Sequence, residues 1–209
     1  MTETTPLPGR GLYLITPDEA DTARLVDRVA PLLAIGVSVL QLRNKRADAA
    51  TLRQQALALL PLCRAAGTPL LINDDWRTAA DTGADGVHLG GGDGDLAQAR
   101  ASLGPHAIIG ASCYNDLDRA RRAAAAGASY LAFGAFFASS SKPRAARATL
   151  DLLATAAGLG LPLVAIGGIT PDNARQVIAA GADYVAAIAA VFNSPDPLAS
   201  VLAFRSCFA

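Results

Sequence analysis

Gly83-Ala-Asp-Gly-Val-His-Leu-Gly90 turns on a glycine after an alanine-containing helical stretch and runs straight into a short apolar segment. The pattern returns as Gly127-Ala-Ser-Tyr130 and Gly181-Ala-Asp-Tyr184, with a weaker copy at Gly36-Val-Ser38. Glycine at such a point suits a helix C-terminus, where a left-handed backbone turns the chain back. Copies spaced like pairs of βα units make the repeat architectural.

Outward from these turns, apolar runs predict strands at 11–16, 37–43, 69–73, 86–89, 108–112, 130–134, 162–167 and 184–189. Amphipathic stretches between them, such as Thr22–Ala34, Ala49–Ala66 and Leu117–Ala126, predict helices. Thr170-Pro171 reads as a helix start, with Thr as N-cap and Pro at the first helical position. The strands are continuously apolar rather than alternating, which is what burial on both faces produces. The expected architecture is an α/β, single-domain (β/α)8 TIM barrel over residues 11–209, behind a polar N-terminal tail at 1–10. An open doubly wound sheet is the alternative, but eight strands with regular return favour closure.

Composition narrows the function. Of 209 residues 52% are hydrophobic and 17% charged, and Lys plus Arg equals Asp plus Glu at 18 each. No basic field exists for nucleic acid. The three cysteines form no CxxC pair, as suits a reduced compartment. The first ten residues lack an apolar signal core, and the longest apolar run, Tyr184–Phe192, is too short to span a bilayer. The expectation is a cytoplasmic protein with small-molecule substrates and no membrane or nucleic-acid partner; a homo-oligomer is left open.

In a parallel barrel the polar clusters that follow the apolar runs gather on one rim, where active sites form. Asp74 and Asp93 follow the third and fourth runs. Oxygen ligands of this kind suit Mg2+, although an N-cap for Asp74 and a solvated loop acid for Asp93 account for them equally well. Arg43, Lys45 and Lys142 bring cations to the same rim, and Gly167-Gly168 would admit a phosphate close to backbone N–H groups. Ser112 ends the fifth run, and Ser139-Ser140-Ser141 offer hydroxyls beside Lys142. Cys113 reads as a packed, inert thiol, His88 as a satisfied core histidine, and His106 as a loop residue on the opposite face. Trp76 and Tyr114 fit a pocket lining or core packing equally well. No general base stands out, so the rim reads as an electrostatic clamp.

Taken in order, the motifs Gln41-Leu-Arg-Asn-Lys45, Ile72-Asn-Asp74, Gly83–Gly90, Ser-Lys-Pro143 and Ala165-Ile-Gly-Gly-Ile-Thr-Pro171 resemble those of the thiamine phosphate synthase family, from Gly11 to about Phe192. The resemblance implies condensation of a pyrimidine methyl diphosphate with a thiazole phosphate, giving thiamine phosphate and pyrophosphate. It implies that Gln41, Arg43, Lys45, Asn73, Ser112 and Lys142 hold the pyrimidine diphosphate, with Arg43, Lys45, Lys142 and Ser112 acting on the leaving group. Asp74 and Asp93 would bind Mg2+. Ser139, Ser140, Ser141, Gly168, Ile188 and Ala189 would hold the thiazole phosphate. Loss of the leaving group and capture by the thiazole nitrogen needs charge stabilisation and positioning, not a protein nucleophile.

Some positions depart from the family pattern. Ser139-Ser-Ser-Lys142 replaces a Thr-x-Thr-Lys loop, Ile188-Ala189 replaces a Val-Ser pair, and Asp75 and Gly91-Gly92 replace Arg and Gln-Glu. Two rivals remain: a thiazole tautomerase, which shares the phosphate pocket but needs no diphosphate site, and a non-catalytic barrel that senses thiamine phosphates.

Overall fold

Aspartates begin most of the helices. Asp21, Asp48, Asp75, Asp95, Asp116 and Asp196 each accept backbone N–H groups of the following first turn, which satisfies donors that a helix cannot pair internally. The computed structural model describes residues 7, 9–92, 94–138 and 147–209. Along them run β1 (Gly11–Ile15), α1 (Thr22–Ala34), β2 (Val39–Leu42), α2 (Ala49–Ala66), β3 (Leu70–Asn73), α3 (Trp76–Thr82), β4 (Gly86–Leu89), α4 (Leu96–Leu103) and β5 (Ile108–Tyr114). There follow α5 (Leu117–Ala125), β6 (Tyr130–Gly134), α6 (Leu150–Ala156), β7 (Leu163–Ile166), α7 (Pro171–Ala179), β8 (Tyr184–Ala187), α8 (Ala189–Phe192) and α9 (Pro197–Ser206).

Among the described residues eight parallel strands close into one barrel in sequence order, β1 pairing with β8 through Gly11–Tyr184, Leu12–Val185 and Tyr13–Ala186. The expected (β/α)8 barrel is therefore the fold. Alternation along each strand divides its side chains between two apolar layers. Tyr13, Ile15, Val39, Leu71, Ile108, Tyr130, Ala132, Val164, Tyr184 and Ala186 pack together inside the barrel. Leu12, Leu14, Leu40, Leu70, Ile72, Val87, Ile109, Leu131, Leu163 and Val185 pack in the larger layer that includes the helices. Leu7, within the segment expected to be a polar tail, is 5% exposed and belongs to the interior layer.

The glycine repeat has a second function beyond turning the chain. Gly36, Gly83, Gly127 and Gly181 all hold positive φ, between 72° and 110°. Two residues after the last three, a polar side chain reaches back to the strand before it. Asp85 accepts from Leu70 N–H at 2.8 Å, Ser129 from Ile109 N–H at 3.0 Å and Asp183 from Leu163 N–H at 2.9 Å. Each thereby ties the start of an odd-numbered strand to its even-numbered neighbour. The Gly-Ala-Asp/Ser copies are thus clamps at the N-terminal rim, opposite the rim that carries the polar clusters.

Candidate active site

Strand parity places Gln41 and Ser112 inward, and Arg43, Asn73 and Asp74 at or just beyond the C-terminal ends of β2 and β3. Arg43 is locked from both sides of its backbone by Thr16, whose hydroxyl donates to Arg43 C=O and accepts from Arg43 N–H, both at 2.9 Å. Its guanidinium donates to Asp18 Oδ1 at 3.0 Å, and the same oxygen accepts Lys45 N–H at 2.9 Å. Between them Asn44 turns toward α2 and donates to Glu19 C=O and to Gln55 Oε1. The Gln-Leu-Arg-Asn-Lys segment is therefore held as a rigid arc by the loop after β1.

Asp74 occupies the left-handed region, φ +65°, which side-chain-bearing residues adopt rarely and which tends to collect at functional sites. Its N–H donates to His88 C=O at 2.8 Å, and Oδ2 lies 3.4 Å from Lys45 Nζ. The helix-capping explanation of Asp74 fails, because Asp75 does that work: its carboxylate accepts from Arg77 N–H, Thr78 N–H and the Thr78 hydroxyl. The Lys45–Asp74 pair is 58% and 30% exposed, so it contributes about 0–1 kcal/mol and exchanges readily for a ligand.

On β5 the ladder to β6 slips between Ser112 and Tyr114, a bulge that re-aims side chains at the rim. Ser112 Oγ lies 2.9 Å from His88 Nε2, and its carbonyl accepts Arg119 Nε–H at 2.6 Å. Tyr114 is 45% exposed and lies under the Arg119 guanidinium, its hydroxyl accepting Gly91 N–H at 3.1 Å. Trp76 opens α3 and stacks under Arg77, as a half-buried residue packed against the core.

Across the mouth, Gly167 and Gly168 have φ +103° and +65°, and neither has room for a side chain. A Cβ on Gly167 would lie 2.4 Å from Ala135 Cβ, and one on Gly168 2.3 Å from Ala138 C=O. Glycine here is demanded by the close passage of segment 135–138 as well as by backbone angle. Asn173 braces the turn, donating to Gly168 C=O at 3.0 Å and accepting Thr170 N–H at 2.9 Å. Ile188 and Ala189 follow β8 at the start of the short α8, with Ala189 exposed.

The structure thus brings Gln41, Arg43, Lys45, Asn73, Asp74 and Ser112 to one half of the rim, and Gly168, Ile188 and Ala189 to the strand-7 and strand-8 side. Asp93, Ser139, Ser140, Ser141 and Lys142 lie outside the described residues. Burial pushes the Cys113 thiol up to about 12, in keeping with an inert group. His106 is exposed in the turn before β5, on the opposite rim. Sequence reasoning passed over Thr16 and Asp18, which orient Arg43; Thr-Pro-Asp directly after the first strand was the available signal. It also gave Tyr13 and Tyr130 no role, although a tyrosine inside a closed barrel must find a partner for its hydroxyl.

Known proteins resemble this chain in sequence and fold. A family model described as thiamine monophosphate synthase matches residues 12–191. A thiamine-phosphate synthase of Methylobacillus flagellatus is 57% identical over 96% of this chain and 96% of its own. Another from Xanthomonas campestris is 55% identical over 95% of this chain and 96% of its own. Among solved structures, a thiamine phosphate pyrophosphorylase from Pyrococcus furiosus superposes with a TM-score of 0.83 at 33% identity, covering 94% of each chain. A 3-hexulose-6-phosphate synthase with a TM-score of 0.69 at 20% identity shares the fold. With most of its length matched and its barrel intact, this chain belongs to the thiamine monophosphate synthase family.

Proposed function

We propose that the barrel mouth joins 4-amino-2-methyl-5-(diphosphooxymethyl)pyrimidine to 4-methyl-5-(2-phosphooxyethyl)thiazole, releasing thiamine phosphate and pyrophosphate. The observation that carries this reading is the convergence of Arg43 and the Lys45–Asp74 pair on neighbouring strand ends, beside Asn73 and Ser112. Among the described residues the Cys113 thiol, which follows Ser112, is buried and its pKa raised, so it does not compete as a nucleophile.

The bond between the methylene carbon and the diphosphate oxygen breaks with its electron pair leaving on the diphosphate. The thiazole nitrogen then donates its lone pair to the methylene carbon. No proton moves, so the residues need only hold charge and geometry. Arg43 offers a planar fork to the diphosphate and Lys45 a mobile point charge, joined in this reading by Lys142. Gln41, Asn73 and Ser112 supply neutral hydrogen bonds that orient the pyrimidine and its leaving group. Gly168, Ile188 and Ala189, with Ser139, Ser140 and Ser141, are assigned to the thiazole phosphate, in the strand-7 and strand-8 position where barrels of this kind commonly hold phosphate.

Asp74 and Asp93 are the residues that would hold Mg2+. Asp74 fits: it is a hard oxygen donor at the rim, Asp75 rather than Asp74 caps α3, and its carboxylate lies beside Lys45. Mg2+ takes one or two carboxylates and fills its other positions with water and phosphate, so two acids are enough for this assignment. When bound, the ion would neutralise charge gathering on the departing pyrophosphate.

The test mixes purified protein with both substrates, with and without Mg2+, and measures both products. Equal, Mg2+-dependent release of thiamine phosphate and pyrophosphate is expected. Binding without pyrophosphate release would point instead to a sensor, and isomerisation of the thiazole alone to a tautomerase. No described helix is long and apolar enough to cross a membrane, and a cytoplasmic location is the compartment this reading assigns.

A further inference from the structure

Five polar side chains run in single file through the barrel interior. Gln41 Nε2 donates to Tyr13 Oη at 2.8 Å, Tyr13 Oη lies 2.7 Å from Tyr130 Oη, Tyr130 Oη lies 2.8 Å from His88 Nδ1, and His88 Nε2 lies 2.9 Å from Ser112 Oγ. Both ends of the file are residues assigned above to the pyrimidine diphosphate; the three in the middle have no such role. Space is reserved for the file. Gly110 sits in the middle of β5, where a Cβ would lie 1.9 Å from the Tyr130 ring and 2.2 Å from its hydroxyl.

Proton counting gives the file a direction. Tyr13 and Tyr130 are fully buried, and burial holds both phenols neutral far above the ordinary range. Each therefore has one proton to give. Tyr13 accepts from the Gln41 amide, so it passes its proton to Tyr130. Tyr130 passes its own to His88 Nδ1, which must be the unprotonated nitrogen of the ring. His88 then carries its proton on Nε2 and donates to Ser112 Oγ. Ser112 keeps a hydroxyl proton to donate elsewhere.

At the other end, among the described residues no hydrogen bond uses Gln41 Oε1, and no buried side-chain oxygen or nitrogen lacks a partner. That oxygen therefore opens to solvent. The two ends of the file present opposite polarity to whatever occupies the mouth.

We infer that Tyr13, Tyr130 and His88 are positioning residues whose shared hydrogen-bond file sets Gln41 as an acceptor and Ser112 as a donor, selecting a ligand that offers an amine N–H on one side and an acceptor oxygen or ring nitrogen on the other. This rests on the proposed binding of the pyrimidine diphosphate, whose exocyclic amine donates and whose diphosphate only accepts. Reversing the file would reverse both ends together and turn the Ser112 lone pair toward an anion. Such coupling is a property of a chain of single-proton links, in which one misdirected link forces all the others.

The chain has only two histidines, His88 and His106, so ring-15N NMR of the full, ligand-free protein resolves the tautomer. The expected result is His88 protonated on Nε2 alone at neutral pH. A proton on Nδ1 overturns the proposal whatever the enzyme does. The second arm uses Tyr13→Phe and Tyr130→Phe, which keep the rings and cut the file at different links. Each should lower kcat/KM for the pyrimidine diphosphate about tenfold, the scale of one misdirected hydrogen bond. The KM for thiazole phosphate should stay within about twofold. Equal losses toward both substrates would mark a merely structural role and overturn it. A wild-type protein that forms no thiamine phosphate refutes the proposed function instead, and leaves the tautomer to decide the direction of the file.

Discussion

Asp18→Ala sets two effects of one carboxylate against each other. Asp18 orients Arg43 and the Lys45 backbone through a single oxygen, at 3.0 and 2.9 Å; it also places a negative charge where a diphosphate is proposed to bind. The Arg43 and Asp18 side chains are 27% and 29% exposed, so their pairing contributes about 0.2–1 kcal/mol. The hydrogen bond to Lys45 N–H adds about 1 kcal/mol. Truncation should therefore lower stability by about 1–2 kcal/mol, which at this chain length lowers Tm by about 2–8 °C. For binding, orientation should outweigh repulsion, because a guanidinium grips phosphate through two parallel bonds and loses both when it swings. The expected outcome is a rise of about tenfold in KM for the pyrimidine diphosphate, or about 1.4 kcal/mol. Asp18→Asn separates the terms: it keeps an acceptor oxygen and drops the charge, and should change KM by less than about threefold. Initial rates with each substrate varied in turn, alongside thermal melts, measure all of this. An Asp18→Ala enzyme with unchanged or lower KM would show that repulsion dominates and would refute the orienting role.

Two further outcomes follow from the backbone and from burial. Asp74→Gly removes the carboxylate and also relieves its left-handed backbone, a strain of about 1 kcal/mol. Tm should equal or exceed that of the wild type while turnover falls at least about 100-fold; full Mg2+-dependent turnover would remove Asp74 from the metal assignment. Cys63 and Cys113 are buried, and burial raises both thiols to about 12. Both should resist alkylation in the native protein at pH 8 and react once it is unfolded, read by mass spectrometry. Because the folded values lie above the ordinary thiol value of 9.0, the stability they contribute is complete below pH about 9 and lost as pH rises toward about 12. Rapid native labelling of Cys113 would contradict its packing.

Much of the fold was readable because its causes are local. Continuous apolar runs, a glycine after most helices and a polar cap before the next are decided within a few residues, and helices Thr22–Ala34 and Ala49–Ala66 appear with their expected bounds. Strand ends moved by a few residues: the fifth was expected to stop at 112 and runs to Tyr114. The cause is a bulge set by pairing with β6, which no local pattern encodes.

The candidate half of the rim was legible for a related reason. In a parallel barrel every strand end arrives at the same face, so residue type and position after a strand suffice to nominate Arg43, Lys45, Asp74 and Ser112, whereas Asn73 was nominated only through the family resemblance. Partnership was not legible. That Asp75 rather than Asp74 caps α3 depends on a backbone angle. His88 read correctly as satisfied, but its partners include Tyr130 and Ser112, 42 and 24 residues away.

By itself, then, the sequence determined the repeat, the strand count, the barrel and the place of Arg43, Lys45 and Asp74 at the described strand ends, because periodicity and turn chemistry act over short distances. Tertiary structure alone decided which groups touch. Tyr13 and Tyr130 stand 117 residues apart and meet at 2.7 Å only because the sheet closes on itself, leaving two buried hydroxyls no partner but each other and their neighbours in the file.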